Sequence, residues 1–254
     1  MTSARRMDGK ICLVTGGGTG IGRAAALQMA REGATAVVIA GRREPEGEAV
    51  AAACRDLGSQ AVFLMADVTR EADVEAMVTG TLDRFGRLDV AFDNAGFQER
   101  RAPIEDQDDA TYAAVFDTNV RGVFHCLRYQ IPAMRKTGGG AIVINASVSG
   151  IRNPNPGFAL YNASKAAVIA MMRTAAIENA ARGVRINAVA PGRVVTDMML
   201  AAGVGDVATV AAGLPLRRMG QPEEVAEAVL WLASDATSYI VGHVLAADGG
   251  FLAA

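Results

Sequence analysis

Cysteine and histidine are scarce in this 254-residue chain, and neither sign of charge predominates. The three cysteines, Cys12, Cys54 and Cys126, are an odd number set far apart. That pattern fits neither a disulfide framework nor a zinc knuckle, and they read as small apolar fillers. The two histidines, His125 and His243, have no second histidine or nearby cysteine at ligand spacing, so no metal is expected. Lysine and arginine total 25 against 27 acidic residues, and no basic stripe with interleaved aromatics occurs. A nucleic-acid groove is therefore not expected. Long apolar runs are also missing: "MTSARRMDGK" leads only into the short run "ICLV", too brief for a signal-peptide core or a membrane span. The expectation is a cytoplasmic protein with no membrane partner.

Short β-branched runs are present in number: "ICLVT", "AVVIA", "AVFLM", "LDVAF", "AIVINA", "VRINAVA" and "HVLAA". Each is separated from the next by an Ala-rich or charged stretch long enough for a helix. This βα rhythm predicts an α/β fold, a parallel sheet of about seven strands with helices on both faces. The strands are apolar almost throughout, as strands covered on both sides must be. No linker or low-complexity tract interrupts the series, so one domain is expected over 1–254. The weakest patterning lies at 197–220, where small residues and glycines replace a clear period. It reads as a substrate lid or as a loosely packed pair of short helices.

The first run ends in "TGGGTGIG", Thr15 to Gly22, and a helical pattern follows from "RAAALQMAREG". Glycines at a strand-to-helix turn let a pyrophosphate approach free N–H groups at the positive end of the helix dipole. Gly20, Gly22 and Ala25 meet the G-x-G-x-x-A spacing only loosely, and a flexible turn is the plain alternative. The second run ends in Gly41, Arg42 and Arg43. In such folds an acid at this end bonds the ribose hydroxyls, whereas an arginine accommodates a 2′-phosphate. The acid is missing. One charged hydrogen bond contributes roughly 1.5–3 kcal/mol, about ten- to a hundredfold in preference, which favours NADP(H) with NAD(H) as the alternative. Arg42 and Arg43 also read as solvated residues with Glu44 or Glu46 as partners.

In "LYNASKAAV" Tyr161 and Lys165 stand four apart, one above the other if the segment is helical. Alone, the pair equally suits a polar helix face. The order Thr15-Gly16-x-x-x-Gly20-x-Gly22, Asp67-Val68, "NAG" at 94–96, Asn119, Ser147, Tyr161-x-x-x-Lys165, Asn187, "PG" at 191–192 and "DGG" at 248–250 resembles the short-chain dehydrogenase/reductase family through nearly the whole chain.

The resemblance implies a Rossmann-like doubly wound sheet and an oxidoreductase, a carbonyl reductase/alcohol dehydrogenase. Its implied catalytic residues are Asn119, Ser147, Tyr161 and Lys165. Tyr161 is the acid/base, since a neighbouring ammonium and a positive nicotinamide lower a phenol pKa of about 10 toward working pH. Lys165 is its electrostatic partner and holds the nicotinamide ribose. Ser147 stabilises charge on the substrate oxygen, with Ser149 a rival two positions on, and Asn119, in a long helix, holds a water that relays protons from Lys165. Implied cofactor contacts are Gly16, Thr19, Gly20, Ile21, Gly22, Arg42, Arg43, Asp67, Val68, Asn94, Ala95, Gly96, Tyr161, Lys165, Pro191, Gly192, Val194 and Thr196. The family commonly has two asparagines before Ala-Gly; here Asp93 precedes Asn94, a change that bears on how the central strands are tied together.

Specificity is expected from loops at the strand ends. Phe97, Phe158, Leu160, Met198, Met199 and Leu200 suggest an apolar pocket, with Arg152 or Asn153 either meeting a polar group or solvated. The helix "PEEVAEAVLWLASD" and the strand within "YIVGHVLAADGG" correspond to elements that build family tetramers, so a homotetramer is expected. Two rivals remain. One is a non-catalytic dinucleotide sensor, which would need none of the four catalytic residues. The other is a related enzyme, either an NAD-linked alcohol or sugar dehydrogenase or an enoyl reductase, the last disfavoured because enoyl reductases usually space tyrosine and lysine more widely.

Overall fold

The computed structural model describes residues 5–152, 156–201 and 206–254. Seven strands, β1 (Ile11–Thr15), β2 (Ala36–Gly41), β3 (Gln60–Met65), β4 (Val90–Asp93), β5 (Gly140–Asn145), β6 (Val184–Pro191) and β7 (Val244–Ala247), form one sheet in the order β3-β2-β1-β4-β5-β6-β7. Every adjacent pair is parallel. The helices are α1 (Gly20–Arg31), α2 (Glu44–Asp56), α3 (Glu71–Phe85), α4 (Asp109–Phe116), α5 (Gly122–Lys136), α6 (Ala159–Ala180), α7 (Asp197–Ala201), α8 (Val207–Ala212) and α9 (Pro222–Ala233). This is the expected doubly wound, Rossmann-like arrangement. Each apolar run forms a strand whose bounds differ from the run by at most two residues.

Alternate residues of the central strands feed two separate cores. Cys12, Val14, Val37 and Ile39 pack with α1, α2 and α9 on one face; Leu13, Val38 and Ala40 pack with α3, α5 and α6 on the other. Residues such as Leu13, Ile39 and Phe92 are wholly buried, each stabilising the fold by about 1.5–3 kcal/mol. The three cysteines are free and buried in these cores. Strand order reverses between β1 and β4, and the carboxyl ends beside such a switch point open the crevice where α/β sheets bind ligands. Asn187 ties down the far side, donating to Ile240 O at 2.9 Å and accepting from His243 N at 3.0 Å just before β7.

Two local features differ from the sequence expectation. Helix α1 starts at Gly20, so Gly20 and Gly22 lie in its first turn rather than ahead of it. The long helix holding Asn119 is α4 and α5 joined by a π-turn at Asp117–Arg121, a device that turns a side chain out of the regular helical face. Among the described residues no helix is long and apolar enough to cross a membrane, and no group of three or more His, Cys, Asp or Glu could hold a metal ion.

Candidate active site

The site begins where β1 runs into α1. Gly16 has φ 61°, and a Cβ there would stand 3.0 Å from Ala95 Cα and Asn94 Nδ2. A Cβ on Gly22 would run into the carbonyl oxygen of Gly16 and stand 2.5 Å from Asn94 Nδ2. The first turn of α1 carries no acidic residue, and Thr19 makes no side-chain cap, so the leading amides keep their capacity for an anion. This cradle fits a pyrophosphate. Gly22→Ala should therefore cost about 1–3 kcal/mol in overpacking and abolish dinucleotide binding, read by thermal melts and by quenching of protein fluorescence with NADPH; a variant that binds normally contradicts the cradle.

Arg42 and Arg43 flank the same opening. Arg42 Nη1 lies 3.8 Å from Asp67 Oδ2, with the guanidinium side chain 69% exposed, an ion pair that contributes little. Arg43 donates to Thr19 Oγ1 at 2.8 Å and approaches Glu46 at 3.6 Å. Both arginines are thus loosely held at the end of β2, and no acid replaces them at the strand terminus. Asp67 keeps its second oxygen for Thr69, accepting from its N–H at 3.0 Å and its hydroxyl at 2.9 Å.

Asn94 bolts the strand ends together. Its Nδ2 donates to the Thr15 and Gly16 carbonyls at 3.0 and 3.1 Å, and its Oδ1 accepts from Asn145 Nδ2 at 2.9 Å. Thr15 Oγ1 accepts from the Asn94 and Ala95 amides at 3.0 and 3.1 Å. The Asn94 side chain, expected from the resemblance as a cofactor contact, is thus engaged with protein groups while the residue lines the cleft. One position earlier, Asp93 is fully buried, and burial pushes its carboxyl up to about 7, with Gln130 and Cys126 opposing as hydrogen-bond partners.

At the other end stand Ser147, Tyr161, Lys165 and Asn119. Ser147 follows β5, and its Oγ accepts from Ser149 N at 3.1 Å, which leaves its own proton free to donate. A Cβ on Gly150 would press on the Lys165 backbone at 2.6 Å, so the turn after Ser147 lies directly against α6 only because Gly150 is there. The Tyr161 phenol, in the first turn of α6, is held above its ordinary value: burial raises it, the Ser147 hydrogen bond lowers it, Glu99 raises it and Arg193 lowers it. Ser147 is the serine that acts on the phenol, while Ser149, two positions on, also lines the cleft.

Lys165 is 4% exposed. Burial brings it down to about 8, so its ammonium still predominates at neutral pH. Its Nζ donates to Asn145 O at 2.7 Å and sits 5.6 Å from the centre of the Tyr161 ring. Arg193 is a second cation at the site and lowers the phenol. Asn119 accepts from Phe97 N and donates to Phe97 O, each at 2.8 Å, and donates to Ser164 Oγ at 2.9 Å. It fixes the chain beyond Gly96 beside Lys165.

One cleft of about 650 Å³ joins the two ends, lined by Gly16, Thr19, Gly20, Ile21, Arg42, Arg43, Asp67, Val68, Asn94, Ala95, Gly96, Ser147, Tyr161, Pro191, Gly192, Val194 and Thr196. That volume lies within the ordinary range for small-molecule sites. Asn119, Lys165 and Gly22 stand behind its wall. The pocket reading needs correction. Phe97, Met198 and Met199 line the cleft, but Phe158 and Leu160 are buried and take no part. Leu200 points to solvent, and Arg152 donates to the Ala254 carbonyl. Asn153 lies outside the described residues, as do residues 202–205 of the 197–220 segment. Of the remainder, α7 and α8 are short helices, and Met199, Leu214 and Met219 form a small apolar cluster of their own.

Two residues escaped the sequence reading. Glu99 is 1% exposed and accepts from Tyr161 N at 3.0 Å, capping the first turn of α6. Arg193 lines the cleft beside Tyr161. Nothing in "FQERR" or "PGRVV" marks either as different from a solvated charge.

The chain is similar to known proteins along nearly its full length. The family model described as Enoyl-(Acyl carrier protein) reductase matches residues 16–252. Short chain dehydrogenase/reductase astE of Aspergillus oryzae is 38% identical over 96% of this chain and 95% of its own length. Cis-4-hydroxycyclohexanecarboxylate dehydrogenase of Sinomonas cyclohexanicum is 42% identical over 96% of this chain and 97% of its own. The solved structure of 7α-hydroxysteroid dehydrogenase complexed with NADH and 7-oxo glycochenodeoxycholic acid superposes with a TM-score of 0.92 at 31% identity, covering 99% of this chain and 97% of that one. With the ordered motifs, the seven-stranded sheet and this agreement along nearly its full length, the chain belongs to the short-chain dehydrogenase/reductase family, oxidoreductases that use nicotinamide cofactors.

Proposed function

We propose that the protein is an NADP(H)-dependent carbonyl reductase/alcohol dehydrogenase, acting in the cytoplasm as a homotetramer on a small, largely apolar ketone or secondary alcohol. The observation that carries this reading is the Tyr161 phenol, partnered by Ser147, at one end of a cleft whose other end is the glycine cradle. The cradle residues and Arg42 would hold the adenosine half of the cofactor, and Pro191, Gly192, Val194, Thr196 and Lys165 the nicotinamide half. When bound, the nicotinamide supplies or accepts the hydride.

The protein's own residues handle the proton. A phenol held above its ordinary value is protonated at neutral pH, ready to donate to a carbonyl oxygen that becomes an alcohol. Ser147 Oγ donates to the same oxygen and stabilises charge as it develops. Lys165 uses one of its three protons on Asn145 O, leaving two donors for the ribose. Asn119 would hold the proton-relay water. Residues 197–220 would close over the substrate, with Met198 and Met199 adapting to its shape. The Tyr161-x-x-x-Lys165 spacing supports carbonyl over enoyl reduction, and a relative named for a cyclic hydroxy acid is in keeping with a cyclic alcohol or ketone.

Exposed Arg42 at the end of β2 supports NADP(H). Arg42→Asp should lower the NADPH/NADH ratio of kcat/KM about ten- to a hundredfold; an unchanged ratio would move the 2′-phosphate elsewhere. Asp67 beside Arg42, together with the NADH bound by 7α-hydroxysteroid dehydrogenase, favours NAD(H) as the second reading. The deciding experiment is a panel of ketones, diketones and secondary alcohols with each cofactor. Turnover with NADPH supports the proposal; dinucleotide binding without turnover of any of them would favour a sensor.

A further inference from the structure

Arg193 is a half-buried cation that lines the cleft. Its backbone is pinned: Arg193 O accepts from Gly220 N at 2.9 Å, and two residues on, Val195 N donates to Gly220 O at 3.0 Å. Its side chain is half-buried, lines the cleft and acts on the Tyr161 phenol. Among the described residues no carboxylate lies within 4.0 Å of it, and of the arginines that line the cleft it alone is half-buried, Arg42, Arg43 and Arg100 being exposed. The residues outside the described set include no aspartate or glutamate. Burial works against the Arg193 charge, and Arg101 adds repulsion.

More positive charge stands nearby. Arg100 also lines the cleft. Arg101 runs along Gly157, where a Cβ would be 2.6 Å from Arg101 Cγ, and donates to Pro156 O at 3.2 Å. Two acids stand nearby without pairing with Arg193 among the described residues: Glu99, whose Oε1 accepts from Tyr161 N while its buried Oε2 has no partner, and Asp197, which lines the cleft and is exposed. Removing a cation from water without a partner is costly, and an Arg fork is shaped to take a carboxylate in two parallel hydrogen bonds.

We propose that Arg193, supported by Arg100, binds a carboxylate on the substrate, so that the preferred substrates are oxo acids and their hydroxy-acid counterparts. This rests on the carbonyl-reductase reading and narrows it. The reacting oxygen meets Tyr161 and Ser147 while the carboxylate meets Arg193, so one molecule is held at both ends.

The test compares 4-oxocyclohexanecarboxylate with its methyl ester in wild type, Arg193→Gln and Arg193→Lys. The acid/ester ratio of kcat/KM should fall about ten- to a hundredfold in the glutamine variant and by less in the lysine variant, which keeps charge without the fork. A merely structural or phenol-tuning role would lower both substrates alike and leave the ratio unchanged, overturning the proposal. So would a selective loss of NADPH affinity, which would assign Arg193 to the cofactor. If neither compound is turned over by wild type, the carbonyl-reductase reading is judged by the wider panel, and the carboxylate site by binding alone. Calorimetric binding of cyclohexanecarboxylate to the NADP⁺ complex then decides: weaker binding in both variants supports Arg193, and equal binding overturns it.

Discussion

Tyr161→Phe should lower turnover by about two to four orders of magnitude, the range that positioned acid/base groups contribute, while NADPH affinity changes little. The substitution removes one oxygen and keeps the ring, so α6 and its contact with the turn at Ser147 persist. What is lost is the proton at the substrate oxygen and the partner of the Ser147 hydroxyl. Ser147 would still polarise a carbonyl, but the substrate oxygen would be left without a proton donor beside it. Turnover by NADPH absorbance, beside a fluorescence titration of NADPH, separates the two effects. Normal turnover would remove Tyr161 from the chemistry, and a collapse of NADPH binding would make its role structural.

Asp93→Asn should stabilise the protein by up to about 4 kcal/mol at pH 8. The Asp93 carboxyl is raised from 3.8 to about 7, and each unit is 1.36 kcal/mol. Unfolded, it ionises near pH 4; folded, it keeps its proton to about pH 7. The unfolded state therefore binds fewer protons between those values, so stability falls as pH rises from about 4 to about 7 and the whole penalty is present above. Hydrogen bonding sharpens this. Gln130 Nε2 donates to Asp93 Oδ1 at 2.7 Å, while Asp93 Oδ2 and Gln130 Oε1 have no partner among the described residues. An asparagine amide could donate to Gln130 Oε1 and accept from Gln130 Nε2, completing the pair without a charge. Urea unfolding at pH 5 and pH 8 checks it: wild type should lose stability between the two, and the variant should not. A variant that declines in parallel with wild type would mean that the Asp93 carboxyl is not raised on folding.

The sheet was legible because strands buried on both faces must be continuous apolar runs, and "ICLVT" or "VRINAVA" has little else to become. The motif order also identified Ser147, Tyr161 and the glycine cradle, which the fold brings to one cleft. Positions set by how loops turn were not legible. Phe158 and Leu160 look like pocket residues in "GFALYN", yet at the start of α6 both are buried away from the cleft. Asn94 reads as a ligand contact, and its amide is consumed by the backbone of residues 15 and 16. Lys165 stands one helical turn from Tyr161, as spacing requires, and the bond from its ammonium to Asn145 O is a contact that spacing does not reveal. Glu99 and Arg193 look like ordinary solvated charges until the chain folds one against the Tyr161 amide and the other into the cleft.

The central claim is that one phenol exchanges a proton with the substrate oxygen beside the nicotinamide. A crystal structure of the complex with NADP⁺ and a turned-over alcohol tests it most directly. The account predicts Tyr161 Oη and Ser147 Oγ both within about 2.6–3.2 Å of the alcohol oxygen, with its carbon facing the nicotinamide ring. A phenol turned away from that ring, or an alcohol bound where neither hydroxyl reaches it, would contradict the account.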